Sequence, residues 1–355
     1  MIRQRLTAQL LAGPRPRDPL QVAERLLAIQ AQDRRAALLA VRARSRGLTA
    51  AGVELLLGEE RSLVITWLNR GTLHLVRSQD YFWLQPLNGP RLVPPALRRL
   101  ANEGVSRAGA ERGLRALRRA LGSGGPLTLA VLGERLTAAG LPRSRSVWLS
   151  MLFLASARGM VVRGPLLGRQ PGYVLVEDWL GGAPRVDPQA ALAELAGRFL
   201  AGHGPATDRD LAQWSGLSLG QARVGLRQIA GELREGVGGL LQLRSASPAA
   251  PLPPPRLLGG FEPLLLGWSS RRPLLGEHQG LITVNGLFRS MLLVRGRAAG
   301  GWTLSSGVLR VRPFATLAPA VAASLEGETE DIARFLGLPR QRLQLEPGTP
   351  AGEIG

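Results

Sequence analysis

Two segments of this sequence, 79 residues apart, follow one plan. The first opens Gly125-Pro126-Leu127-Thr128 and the second Gly204-Pro205-Ala206-Thr207. In each, the threonine stands where its hydroxyl can cap a helix start. Leu129, Leu132 and Leu136 then mark one face of a first helix, and Leu211 and Trp214 mark the other. Thr207 with Asp210 is close to capping-box spacing, and Ser218 with Gln221 is a full capping-box pattern. Glycines close the helices, Gly140 in one segment and Gly216 in the other. β-patterned runs follow at 160–163, 173–177 and 240–243. Helix, tight turn, helix and hairpin is the winged-helix plan.

Residues 1–90 read the same way, with helices near 20–30, 33–46 and 50–57. Strands at 63–67 and 73–76 flank a turn at Asn69-Arg70-Gly71. The expected fold class is therefore mainly α with β wings (α+β), with three tandem winged-helix units at 1–90, 121–185 and 186–247. A basic helical connector is expected at 91–120, around Leu114, Leu117 and Leu121. The proline-rich stretch 248–255 separates a small C-terminal β-rich domain at 256–345. Its strands are expected at 264–268, 281–284, 291–294, 302–304 and 309–311, with a helix at 328–336. Residues 346–355 read as a disordered tail.

Charge narrows the partners. The 355 residues carry a formal net charge of +19, and all 45 basic residues are arginine. A GC-rich codon bias explains arginine in place of lysine, but not 45 bases against 26 acids. A polyanion is expected, with nucleic acid ahead of membrane. Residues 1–47 hold ten arginines and three acids, +7, and residues 91–119 hold eight and two, +6. From 326 onward six acids meet three arginines, −3, so the polyanion should meet the front of the chain. Cysteine is absent, which excludes disulfides, thiol nucleophiles and zinc fingers. The three histidines, His74, His203 and His278, lack ligand spacing, so neither a metal nor a Ser-His-Asp site is expected. The glycine-rich pieces lack the strand and lysine of a phosphate loop. The longest apolar run, 147–157, is too short to span a membrane. Without a signal-peptide pattern, a cytoplasmic, nucleoid-associated location is expected.

One short segment carries chemistry: Ile29-Gln30-Ala31-Gln32-Asp33-Arg34-Arg35. A helix turns by about 100° per residue, so residues two apart cannot share its face, whereas on extended backbone they can. Apolar spacing places a helix end near Gln30, and Asp33 reads as the cap of the next helix. Both amides can then leave one joint toward one point.

That joint resembles the Gln-Φ-Gln motif of the AlkZ-like winged-helix DNA glycosylases, where Φ is apolar. A second match, Trp67-Leu68-Asn69-Arg70-Gly71-Thr72-Leu73-His74-Leu75-Val76, is similar to that family's Arg-Gly-Thr-Leu-His segment. A looser third spans Gly260-Phe261-Glu262 to Trp302, where the family often has Asp for Glu262 and a tyrosine near Trp268. The resemblance covers most of the chain and is strongest in the first 90 residues. It implies a DNA glycosylase with Gln30 and Gln32 as catalytic residues, and Arg70 and His74 as DNA contacts on a duplex-gripping hairpin. For His74, alternating with Leu73 and Leu75, a satisfied core histidine is the competing reading.

The implied reaction is hydrolysis of the N-glycosidic bond of an N7-alkylated purine in duplex DNA, bulky adducts or interstrand crosslinks included. Recognition helices should bring Arg143 and Arg145 in one unit, and Arg223 and Arg227, four apart on one face, in another. Arg34 and Arg35 stand next to the joint. The expected enzyme is a monomer needing no cofactor, and it contacts duplex DNA through a basic channel. Without lysine it has no lysine imine for a lyase step. The rival expectation is a non-catalytic winged-helix DNA binder or transcriptional regulator.

Overall fold

The computed structural model describes residues 1–182, 186–283 and 286–348. Helices make up 51% of the protein and strands 19%, in keeping with an α+β class led by helices. The chain folds as two compact units, Leu55–Leu192 and the combination of Met1–Glu54 with Ala193–Gly355.

In the unit Leu55–Leu192, strands Leu63–Leu68 and Thr72–Arg77 pair antiparallel from Leu63↔Arg77 to Leu68↔Thr72. The turn needs left-handed backbone at Asn69 (φ 43°) and Gly71 (φ 81°), which glycine adopts without a Cβ clash. Helix Ser78–Asn102 follows, carrying Pro86, Pro90, Pro94 and Pro95 in its interior. Prolines usually mark helix breaks. Here Pro86, Pro90 and Pro94, four residues apart, all lie on the exposed side. Their rings project away from the core, so the helix continues past them.

Helix Arg107–Gly124 precedes strand Leu127–Thr128, helices Leu129–Ala138 and Arg145–Ala157, and the hairpin Val161–Leu167 with Gln170–Leu175. Thr128 caps as expected, accepting from the Val131 N–H at 3.4 Å. Leu117, Leu132, Leu136, Met151, Leu154 and Val161 lie in one core.

The other unit repeats the order. Helices Asp208–Ser215 and Leu219–Gln228 each begin with a complete capping box, Thr207 with Asp210 and Ser218 with Gln221. Hairpin Leu233–Gly236 with Leu240–Leu243 follows. A five-stranded sheet then runs Arg342–Leu345, Val308–Pro313, Arg297–Ser305, Met291–Val294, Arg256–Leu258 in spatial order. Its pairs are antiparallel, except Val308–Pro313 with Arg342–Leu345. Leu39 of helix Arg34–Arg44 enters the core of this sheet with Leu257, Trp302, Leu309 and Ile332.

Several sequence expectations are corrected. The first long helix, Pro19–Leu26, ends four residues before Gln30 because the backbone turns at Leu27. The stretch expected as a strand at 264–268 is a short helix, Pro263–Leu266, since Glu262 caps it by accepting the Leu264 N–H at 3.2 Å. At 281–284, Leu281 closes a 3-10 turn and Ile282 bridges Phe288, while Val284 lies outside the described residues. The C-terminal helix starts at Pro319, not near 328. Of the expected tail, Glu346 is tied down: its N–H donates to Val311 O at 2.9 Å and its carboxylate pairs with Arg312. Residues 349–355 lie outside the described residues.

Helix Arg34–Arg44 is fastened to its unit by charge. The Arg44 guanidinium and the Glu262 carboxylate form an ion pair with both side chains 0% exposed. Arg44 also donates to Gln9 Oε1 at 2.7 Å and to Ala40 O at 3.0 Å. Arg42 reaches Glu328, Asp331 and the Leu257 carbonyl. Desolvating both partners offsets much of such a pair's attraction, but removing one leaves a bare buried charge. Arg44→Met should therefore lower the unfolding free energy by about 3–5 kcal/mol in urea titration. The double variant Arg44→Met, Glu262→Leu should recover most of that loss. A single variant as stable as the parent would show that the pair does not clamp the helix.

His74 and His203 are buried, and each has its pKa lowered to about 3, first by desolvation. Both stay neutral in the native state, while the unfolded chain protonates near 6.5. The native state binds fewer protons, so their contribution is complete above about pH 6.5 and lost progressively toward pH 3. Urea midpoints should fall between pH 7 and pH 4, and the fall should shrink in His203→Asn. An identical pH dependence in parent and variant would remove His203 from the account.

Candidate active site

The joint between helices Pro19–Leu26 and Arg34–Arg44 is built by one strained residue. Leu27 sits at φ 62°, ψ −51°, and the Ala28 N–H donates to Leu26 O at 2.7 Å. This is the classic form of the three-residue γ-turn, which side-chain-bearing residues avoid. Such backbone costs about 1–3 kcal/mol and persists only where its surroundings enforce it. Leu26, Leu27 and Ile29 are all completely buried, and their burial supplies that enforcement. The chain leaves the turn extended through Ile29–Gln30. Asp33 then caps the next helix, accepting the Ala36 N–H at 3.1 Å.

Gln30 and Gln32 thus lie on non-helical backbone between two caps. Gln30 is only 7% exposed, and its amide makes no hydrogen bond to another described residue. Its amide atoms are not among the fully buried unpaired ones, so they reach the surface and are open to water or a ligand. Gln32 is exposed. Beside them, Arg34 is spent on structure: its Nε donates to Glu54 Oε1 at 2.7 Å, and a second nitrogen meets Oε2. That bidentate pair ties the helix start to helix Ala50–Gly58. Arg35 is exposed and has no ion-pair or hydrogen-bond partner among the described residues. The first-turn N–H groups and the helix dipole add positive potential at the same place.

The remaining expected contacts belong to both units, Arg70, His74, Arg143 and Arg145 to Leu55–Leu192 and Arg223 and Arg227 to the other. Arg70 is exposed at the hairpin tip. His74, on the neighbouring strand, is 2% exposed, with Nδ1 2.9 Å from Thr72 O. Burial, and next the charge of Arg70, hold it neutral. It sits as a core histidine, not as a surface contact. Arg143 is exposed and pairs with Glu134. Arg145, exposed, opens helix Arg145–Ala157 and has no such partner among the described residues. Arg223 and Arg227 are exposed on helix Leu219–Gln228, with Arg223 2.7 Å from Asp208 and Arg227 unpaired among the described residues.

Sequence reasoning missed three features of this region. Glu54 as the partner of Arg34 lies 20 residues away and carries no local signal. The strain at Leu27 has none either, because leucine is not a turn residue. Arg44 stands between Arg42 and Arg46 in the sequence, so nothing local marks it as the buried one. Among the described residues no group of His, Asp or Glu is arranged to hold a metal ion, and no helix is long and apolar enough to cross a membrane.

Comparison with known proteins bears on this geometry. A family model described as DNA glycosylase AlkZ-like matches residues 23–335, which include the joint, the hairpin and most of the C-terminal sheet. The chain is 28% identical over 303 residues to the interstrand DNA cross-link repair glycosylase of Streptomyces sahachiroi, covering 79% of this chain and 80% of that one. It is similar to the solved structure of Streptomyces sahachiroi DNA glycosylase AlkZ with a TM-score of 0.81 and 26% identity, over 97% of this chain and 98% of that one. A glutamine pair on a strained joint, set in a chain matched to that model over most of its length, places the protein in the AlkZ-like DNA glycosylase family.

Proposed function

We propose that this protein hydrolyses the N-glycosidic bond of N7-alkylated purines in duplex DNA, interstrand crosslinks included, and leaves an abasic site. The observation that carries the reading is Gln30, a largely buried residue whose unpartnered amide opens to solvent two residues from exposed Gln32. The relative from Streptomyces sahachiroi, a cross-link repair glycosylase by name, supports the substrate class.

The chemistry suits neutral amides. Alkylation at N7 leaves the purine cationic, so it departs as a neutral base without being protonated. The C1′–N9 bond breaks and its electron pair goes to the base. A water then adds to the oxocarbenium-like sugar and releases a proton to solvent. The carbonyl oxygens of Gln30 and Gln32 accept hydrogen bonds from that water, and their dipoles face the developing positive charge. Asp33 stays engaged as the helix cap. Arg35, Arg70, Arg143, Arg145, Arg223 and Arg227 contact phosphates, while Arg34 positions the joint through Glu54. His74 supports the hairpin from within. The complete lack of lysine in the sequence supports a monofunctional reaction that stops at the abasic site. The protein acts as a monomer on nucleoid DNA.

Incubation with duplex DNA containing N7-methylguanine, followed by mild alkali, tests the reading. Base release should fall at least 100-fold in the double variant Gln30→Ala, Gln32→Ala, with the DNA Kd changed less than about fivefold. Tight binding with no base release by the parent would make the protein a non-catalytic DNA binder. The Arg227→Ala variant should bind every sequence more weakly and reduce the slope of log K against log salt by about one unit. An unchanged slope would take Arg227 out of the interface.

A further inference from the structure

A cavity of about 480 Å³ lies beside the joint, within the unit that holds the C-terminal sheet. Its lining joins two chemistries. Phe261 and Phe288 supply aromatic surface, and Arg35, Arg289, Arg310 and Arg312 supply positive charge. The one acid among its described lining residues is Asp33, whose carboxylate is committed to capping.

The sheet register explains the charged wall. Thr303 lies opposite Arg310 and Gly301 opposite Arg312 on paired strands. Residues directly opposite project to one face, and residues two apart on a strand share it. The alternate residues Leu309 and Val311 face the core. Arg310 and Arg312 therefore stand side by side over a floor opened by Gly301, which has no side chain to fill it. Arg312 is paired with Glu346. Arg310, like Arg35, has no ion-pair or hydrogen-bond partner among the described residues. Two unpaired guanidiniums on one cavity suit an anion with several oxygens to share, such as a phosphate.

The aromatic wall is held under strain. Phe261 has φ 49°, a left-handed conformation rarely seen in a bulky residue. Its N–H donates to Phe288 O at 3.1 Å, and the two rings lie 6.2 Å apart at 49°. Its neighbour Glu262 is locked to Arg44. Trp302, opposite Val311, turns to the core beneath, where its indole N–H donates to Leu258 O at 2.7 Å. Strain enforced from several sides, on a residue lining a cavity, is a mark of a functional position.

We propose that this cavity captures a nucleotide, its base against Phe261 and Phe288 and its phosphate at Arg35 and Arg310. The inference rests on the glycosylase reading for its source, a nucleotide of the bound strand close to the lesion. The same chemistry would also hold a free mononucleotide, and the test separates the two.

Calorimetric titration with dGMP, deoxyguanosine and inorganic phosphate reads the recognition of each half. Binding of dGMP should be at least tenfold tighter than binding of either fragment. Arg310→Ala should weaken dGMP at least fivefold and leave deoxyguanosine unchanged. Thr303→Trp, which fills the cavity from an exposed strand position, should abolish both. In a second arm, 2-aminopurine is placed beside the lesion in a duplex. Brightening on binding to the parent but not to Thr303→Trp assigns the strand nucleotide, and dGMP binding without brightening assigns a free one. Absence of dGMP binding, with equal duplex fluorescence in parent and Thr303→Trp, overturns the proposal. Base release measured on the same preparations keeps the two readings apart. Release without nucleotide capture sinks this inference alone, and capture without release sinks only the glycosylase reading.

Discussion

The geometry of the candidate site depends on the buried ion pair between Arg44 and Glu262. Helix Arg34–Arg44 carries the glutamine joint at its first turn and this pair at its last. A rod eleven residues long transmits position along its axis, about 16 Å at 1.5 Å per residue. Glu262 in turn caps the short helix Pro263–Leu266 and follows the strained Phe261. One carboxylate thus fixes the direction of the helix that presents the amides and the backbone that presents an aromatic wall. Arginine suits this role better than lysine, because its planar fork reaches one oxygen of Glu262, Gln9 and the Ala40 carbonyl together.

Much of the fold was legible in the sequence for local reasons. Thr128, Thr207 and Ser218 act as caps through contacts within three residues, so their spacing alone announces them. The Asn69-Arg70-Gly71 turn announced its hairpin in the same way. Helix Ser78–Asn102 was hidden, because four internal prolines look like punctuation until it is known that three of them face water. The strand expected at 264–268 failed for a related reason. An apolar run of this length has no period of its own, and a capping carboxylate decided its form.

The candidate site divides along the same line. The two glutamines, the cap and the adjoining arginines were visible as a string. What distinguishes Arg34 from Arg35 was not, since it depends on Glu54. In a chain with +19 formal charge, composition cannot say which arginines are spent on structure. Ion pairs with Glu54, Glu262 and Glu328 withdraw Arg34, Arg44 and Arg42 from any encounter with phosphate. The net excess therefore overstates what a polyanion meets at the front of the protein, and the exposed residues without partners are the better measure.

The kink at Leu27 separates shape from reactivity. The bend is enforced by the completely buried apolar residues Leu26, Leu27 and Ile29, and the polar residues it presents follow it. Exchanging an amide for a carboxylate at position 32, an exposed position, would change the charge presented at the joint while the buried residues that set the bend stay in place. One frame can thus present different polar groups through single replacements, with no need to rebuild the surrounding core.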